Sequence, residues 1–150
     1  MPIELTVLPQ FEFLHVDYWG VVTFGELATG FQDFVEKPFS ETVKYSLNDM
    51  RNMTDMRMPE QALTSQAELV ATGLQEKGIA HRMAIVAGNI PHLVVARDYS
   101  DYYARHTQNP CSAFMKIGDA IRWLGVDPAV MEEKLPNGQL VGAPSSSPSV

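Results

Sequence analysis

Between two stretches of helical periodicity the chain carries Arg82-Met83-Ala84-Ile85-Val86-Ala87, apolar at every position after the arginine. A strand with one face in water alternates apolar and polar residues, whereas a run without alternation has to be covered on both sides. The segment has strand length, so it reads as the buried central strand of an α/β sheet that is mostly parallel.

The rest of the chain supplies the strands and helices such a sheet needs. Ile3–Leu8 sets Ile3, Leu5 and Val7 against Glu4 and Thr6, the period of a half-buried strand. Pro9-Gln10 breaks the run and Phe11–Val22, dense in aromatic and β-branched residues, resumes it with a bend expected near Gly20. The two runs predict an antiparallel hairpin. Thr23-Phe24-Gly25-Glu26 is a capping box that opens a helix bearing Leu27, Phe31, Phe34 and Val35, stopped at Pro38. Lys44–Asp49 reads as a short strand that runs into a Met-rich loop, Met50–Met58.

Pro59 suits the first turn of a second helix, whose stripe of Ala62, Leu63, Leu69, Val70 and Leu74 ends at Lys77-Gly78. A third helix is expected over Pro91–Thr107, a last strand over Ser112–Lys116, and two short helices after Ile117 and Asp127-Pro128. The order β-β-α-β-α-β-α-β-α implies right-handed crossovers after the opening hairpin. From Pro136 onward Pro, Gly and Ser predominate and no aromatic or charged side chain occurs. A segment of that composition cannot offset its ordering entropy. Residues 1–135 are therefore expected as one α/β domain and 136–150 as a disordered tail.

Composition narrows the partners. The formal net charge is −7, and residues 1–75 hold 11 acidic against 4 basic side chains while residues 76–150 hold 7 of each. An acidic domain without a basic stripe repels phosphates, which argues against nucleic acid and anionic membrane surfaces. No run of apolar residues is long enough to span a bilayer, and the start lacks the pattern of a secretory signal, so a cytoplasmic location is expected. Cys111 is the only cysteine, which rules out a disulfide within one chain.

Four segments, taken in order, carry a family likeness: Gly20-Val21-Val22-Thr23 before the first helix, Leu47-Asn48-Asp49-Met50-Arg51, Arg82-Met83-Ala84-Ile85-Val86, and Phe114 followed by Asp119-Ala120-Ile121-Arg122-Trp123-Leu124. With these the chain resembles the STAS-like (SpoIIAA-like) domains, named for anti-sigma factor antagonists. It is most similar to an uncharacterised bacterial subgroup related in fold to Sec14-type lipid-transfer domains. The resemblance implies a sequential sheet of four or five strands with its helices stacked as a β-α superhelix. It also implies a non-catalytic regulatory module that works through protein contact or self-association. Anti-sigma factor antagonists carry an Asp-Ser-Ser-Gly-like stretch whose first serine is phosphorylated. The corresponding Asn52-Met53-Thr54-Asp55-Met56-Arg57-Met58 has no serine or glycine, and Thr54 is its one hydroxyl.

The candidate binding residues fall in two places. Met50, Met53, Met56 and Met58 stand among Asp49, Arg51, Asp55 and Arg57, and flexible, polarisable methionines suit surfaces that adapt to an apolar ligand or a protein. This stretch leaves the carboxyl end of a strand, where open α/β sheets bind ligands. The third helix spaces Tyr99, Tyr102, Tyr103 and His106 by three and four, an aromatic stripe that packs on the sheet or lines a pocket or dimer interface. The expected contact surface thus comprises Asp49, Arg51, Met53, Thr54, Asp55, Met56, Arg57, Tyr99 and Tyr102. A protein partner or a homodimer is one reading. The alternative is a carrier or sensor of a small apolar or lipid-like ligand, in a groove walled by Met53, Met56, Tyr99, Tyr102 and Trp19.

Catalytic signals are thin. His15 and Asp17 share a strand face with Trp19 and can orient a general base, and Cys111 can in principle meet His81, His92 or His106. A hydrolase built on either stands as a second alternative. The histidines lack metal-ligand spacing, and neither G-x-G-x-x-G nor a Walker-type loop is present, so no metal or cofactor is expected.

Overall fold

The computed structural model describes residues 2–57, 60–78, 80–107 and 109–134; Met58, Pro59 and the segment 136–150 lie outside them. The strands are β1 (Ile3–Leu8), β2 (Phe13–Thr23), β3 (Tyr45–Arg57), β4 (Arg82–Ala87) and β5 (Cys111–Phe114), and the α-helices are α1 (Phe24–Glu36), α2 (Glu60–Glu76), α3 (Ile90–Thr107), α4 (Ile117–Leu124) and α5 (Pro128–Lys134). One sheet holds the strands in the order β1-β2-β3-β4-β5. Only β1 and β2 are antiparallel, Ile3 facing Tyr18 and Leu8 facing Phe13, and a 3₁₀ turn at Pro9–Phe11 joins them.

Covering both faces explains the unbroken apolar run of β4. Met83 and Ile85 join Leu14, Val16 and Tyr18 of β2 in a core completed by Leu27, Phe34 and Val35 of α1, Val70 and Leu74 of α2, and Ala96 and Tyr103 of α3. Ala84 and Val86 join Phe13 and Leu47 on the other side, under Ile117, Ala120, Ile121 and Leu124 of α4 and Met131 of α5. The capping box at the start of α1 is formed: the Thr23 hydroxyl accepts from the Glu26 N–H at 3.2 Å, and the Glu26 carboxylate accepts from the Thr23 N–H at 2.9 Å. Asn89 opens α3 in the same manner, its Oδ1 accepting from the His92 N–H at 2.9 Å.

The third strand departs from the sequence expectation. Residues 50–57 are not a loop, because β3 continues to Arg57 and pairs in parallel with β2 as far as Thr23. Two register shifts interrupt this pairing, between Asp17 and Trp19 and between Gly20 and Val21 on β2. At each shift β3 contributes one residue more than β2. Gly20 lies between the shifts with φ +63°, a conformation that favours glycine, and marks the expected bend.

β3 and the end of β4 approach closely. A Cβ placed on Gly88 would stand 2.8 Å from the Arg51 carbonyl oxygen and 3.1 Å from its Cα, both backbone atoms that cannot swing aside. Gly88→Ala is expected to destabilise the fold by about 1–3 kcal/mol through this overlap, read as a lower midpoint in urea unfolding followed by circular dichroism.

Candidate functional site

The β2–β3 register decides where the methionines point. While β2 keeps its alternation through Val16, Tyr18 and Val22, each extra residue in β3 delays the return of a side chain to the same face. Inward positions on β3 are therefore Ser46, Asn48 and Met50 at steps of two, then Met53 and Met56 at steps of three. All five line one cavity of about 510 Å³ between the sheet and helices α1, α2 and α3. Ile3, Leu14, Val16 and Ile85 form its sheet-side wall, Leu27, Phe31 and Phe34 come from α1, Leu63, Gln66 and Val70 from α2, and Val95, Ala96 and Tyr99 from α3.

Exposure distinguishes its two ends. Asp55, Pro91, Val95 and Asp98 are exposed and mark a mouth at the carboxyl end of β3 and the start of α3. Ser46, at the start of β3, and His81, just before β4, are buried and lie at the other end. Along the wall between them the Tyr18 hydroxyl donates to Asn48 Oδ1 at 2.8 Å. Burial pushes the Tyr18 phenol above its ordinary value and the His81 imidazole down to about 4, so both are uncharged at neutral pH.

A second cluster, of charge, occupies the opposite face of the sheet. Arg51 grips Asp49 through two bonds of 2.9 Å, Nε to Oδ1 and the terminal nitrogen to Oδ2, and its backbone N–H adds a third at 3.2 Å. His15 Nε2 lies 3.3 Å from Asp49 Oδ2. Asp49 is 0% exposed and His15 1%. Burial alone would push the Asp49 carboxyl up, but the hydrogen bonds with His15 and Arg51, with the charge of Arg51, outweigh it and hold the group below its usual value. Asp17 lies next to Asp49 across the strand pair. Burial, and then the Asp49 charge, raise its carboxyl to about 6.

The expected contact surface is divided by this geometry. Met53, Asp55, Met56 and Tyr99 line the cavity. Asp49 and Arg51 belong to the charge cluster on the other face. Thr54 and Arg57 are exposed on β3, and Thr54 sits within a strand instead of in the strand-to-helix turn where the phosphorylated serine of the resembled family is expected. Tyr102 lies outside the cavity: its hydroxyl donates to Glu68 on α2 at 2.8 Å and its ring stacks on His106 at 4.1 Å. Trp19 is likewise absent from the cavity wall.

The two catalytic alternatives gain no geometry. His15 Nε2 is engaged by Asp49 of the neighbouring strand. Burial, with a smaller push from Asp101, raises the Cys111 thiol to about 12, the opposite of an activated nucleophile. Among the described residues no group of three His, Cys, Asp or Glu side chains is placed to hold a metal ion, and no helix is long and apolar enough to cross a membrane.

Ser46, Asn48, Gln66 and His81 are among the cavity residues that sequence reasoning did not assign to a ligand site. One signal was present: Ser46 and Asn48 are polar at alternate positions of the expected strand Lys44–Asp49, so they share one face of it.

The anti-sigma factor antagonist SpoIIAA in its unphosphorylated form superposes with a TM-score of 0.52 at 10% identity, covering 82% of this chain and 97% of that one. The chain has a SpoIIAA-like fold. An uncharacterised protein of the DUF3478 family with a SpoIIAA-like fold, from Shewanella loihica PV-4, matches with a TM-score of 0.51 at 18% identity, over 81% of this chain and 91% of that one. No protein-family model matches the sequence, and no curated protein is found similar to it. This SpoIIAA-like domain therefore has the mixed sheet expected from its sequence, with an antiparallel opening pair and parallel strands thereafter.

Two outcomes test the charge cluster. Asp49→Ala removes the carboxylate that both Arg51 and His15 engage and is expected to cost about 3–5 kcal/mol, measured by urea unfolding. Asp17 titrates near 6 in the folded chain against an ordinary 3.8. Its contribution to stability is thus complete below 3.8 and is lost as pH rises through about 6. Asp17→Asn should remove that decline, so unfolding free energies of variant and parent, followed from acidic to neutral pH, diverge with the variant falling less.

Proposed function

We propose that this chain is a regulatory binding module whose signal is one small, largely apolar ligand held between the sheet and helices α1, α2 and α3. The observation that carries this reading is the cavity itself: about 510 Å³, within the roughly 300–1,000 Å³ of sites that hold a single small molecule. Its wall is mostly aliphatic, aromatic and thioether, and its mouth lies at the carboxyl ends of parallel strands, where open α/β sheets bind ligands. Methionines at three successive inward positions of β3 suit a ligand of irregular shape, because unbranched thioether side chains repack at little cost.

Likeness in fold to an anti-sigma factor antagonist supports the regulatory part of the reading, in which the occupied and empty forms differ in their contacts with a protein partner or a second copy. The extent of the module, residues 1–135, and its cytoplasmic location belong to the same proposal. A second reading, protein contact without any ligand, is favoured by Ile90 and Val94, which are 63% and 53% exposed on α3 beside the mouth.

Native mass spectrometry of freshly purified full chain separates the two. An adduct of a few hundred daltons that survives gentle activation and leaves on harsh activation is expected. Ala96→Phe, which fills the cavity from α3, should abolish it. A clean apo mass for the parent after exposure to a lipid and metabolite extract would sink ligand carriage and leave the contact reading.

A further inference from the structure

The cavity is apolar along most of its wall but not at its inner end. Ser46 Oγ, Gln66 Oε1 and both ring nitrogens of His81 are buried there or along the adjoining wall, and none has a hydrogen-bond partner among the described residues. Their residues are only 3%, 6% and 6% exposed, and all line the cavity. Buried polar atoms are generally met somewhere in a folded protein, and the cavity these residues line is where water, or part of a ligand, can reach them.

The charges around the cavity restrict what that part can be. No Lys or Arg lines it among the described residues, while Asp55, Asp98 and the imidazole of His92 stand toward the mouth. A carboxylate or phosphate head would have to pass two carboxylates and then give up its hydration without a cation to replace it. An ammonium head would find no carboxylate at the inner end. A hydrocarbon with no head would leave the polar atoms unmet. His81, uncharged, offers one donor and one acceptor, Ser46 offers either, and Gln66 Oε1 accepts. A group that both donates and accepts fits this set.

We propose that the cavity takes a neutral amphiphile head first, its hydroxyl or carboxamide group bonded among Ser46, Gln66 and His81 and its apolar body against Met50, Met53 and Met56. The proposal rests on the cavity being a ligand site, and the test distinguishes failure of one from failure of the other.

Full-length protein is loaded with the neutral fluorescent reporter N-phenyl-1-naphthylamine and titrated at neutral pH with octane, 1-octanol, octanamide, octanoate and octyl phosphate. Octanol and octanamide are expected to displace the reporter at concentrations about tenfold lower than the other three, as one or two buried hydrogen bonds would give. Ser46→Ala and Gln66→Leu should each narrow the gap between octanol and octane by about threefold, with octane still displacing the reporter, which shows that the cavity is intact. Equal affinity for octane and octanol, a preference for octanoate or octyl phosphate, or a gap that neither variant alters would overturn the head-group assignment while the cavity reading stands. A reporter that does not bind, or that none of the five displaces, overturns the cavity reading as well.

Discussion

The parallel pairing of β2 with β3 continues to Thr23 and Arg57, whereas β3 and β4 pair only as far as Met50 and Ala87. Beyond that point the strand pair carries the register shifts on which the cavity depends. Strict alternation from Met50 would turn Met53 toward the opposite face of the sheet. Each extra residue in β3 restores the inward direction one step late, so Met50, Met53 and Met56 fall on the same side. The contact of Gly88 with the Arg51 backbone fits this geometry, since the chain leaving β4 turns into α3 directly against the shifted strand. The mouth, between Asp55 on β3 and Pro91 and Val95 on α3, lies between the elements this contact brings together.

The sheet separates two kinds of chemistry. Its cavity face has polar groups that are neutral, such as Tyr18, Asn48, Gln66 and His81. On its other face the ionic groups His15, Asp17, Asp49 and Arg51 are buried together, with the Asp49 carboxylate held by both His15 and Arg51. A buried ion pair adds little net stability over a hydrophobic pair of equal volume, yet breaking it is costly. The contact of the cluster that crosses between strands, His15 of β2 with Asp49 of β3, ties the two together next to the first register shift.

Much of the fold was legible because local rules and tertiary packing agree in most segments. The hairpin, the capping box at Thr23 and Glu26, the apolar run of β4 and the helices that follow it stand close to where periodicity and punctuation put them. The stretch 50–57 was misread for a physical reason: its bulges destroy the period of two by which a strand is recognised, and Asp49, Arg51, Asp55 and Arg57 give it the polarity of a loop. Tyr99 and Tyr102 share a helix yet part company, one lining the cavity and the other bonded to Glu68 on α2, because three steps along the helix set the second ring about 60° round from the first, where the neighbouring helix captures it. His15 and Asp17 were paired by strand parity, but the partner of His15 came from the adjacent strand, as cross-strand neighbours often do.

By itself the sequence determined the class of architecture. An apolar strand without alternation demands cover on both faces, and the order of strand and helix signals leaves a hairpin followed by parallel crossovers as the way to provide it. It also determined the sign of the net charge, −7. Only the tertiary structure decided that Met50, Met53 and Met56 converge on one space, that Asp49 and Arg51 turn away from it, and that Ser46, Gln66 and His81 line the same cavity from two strand ends and a helix. Those juxtapositions depend on a register between strands far apart in the chain, a relation between residues that no local pattern encodes.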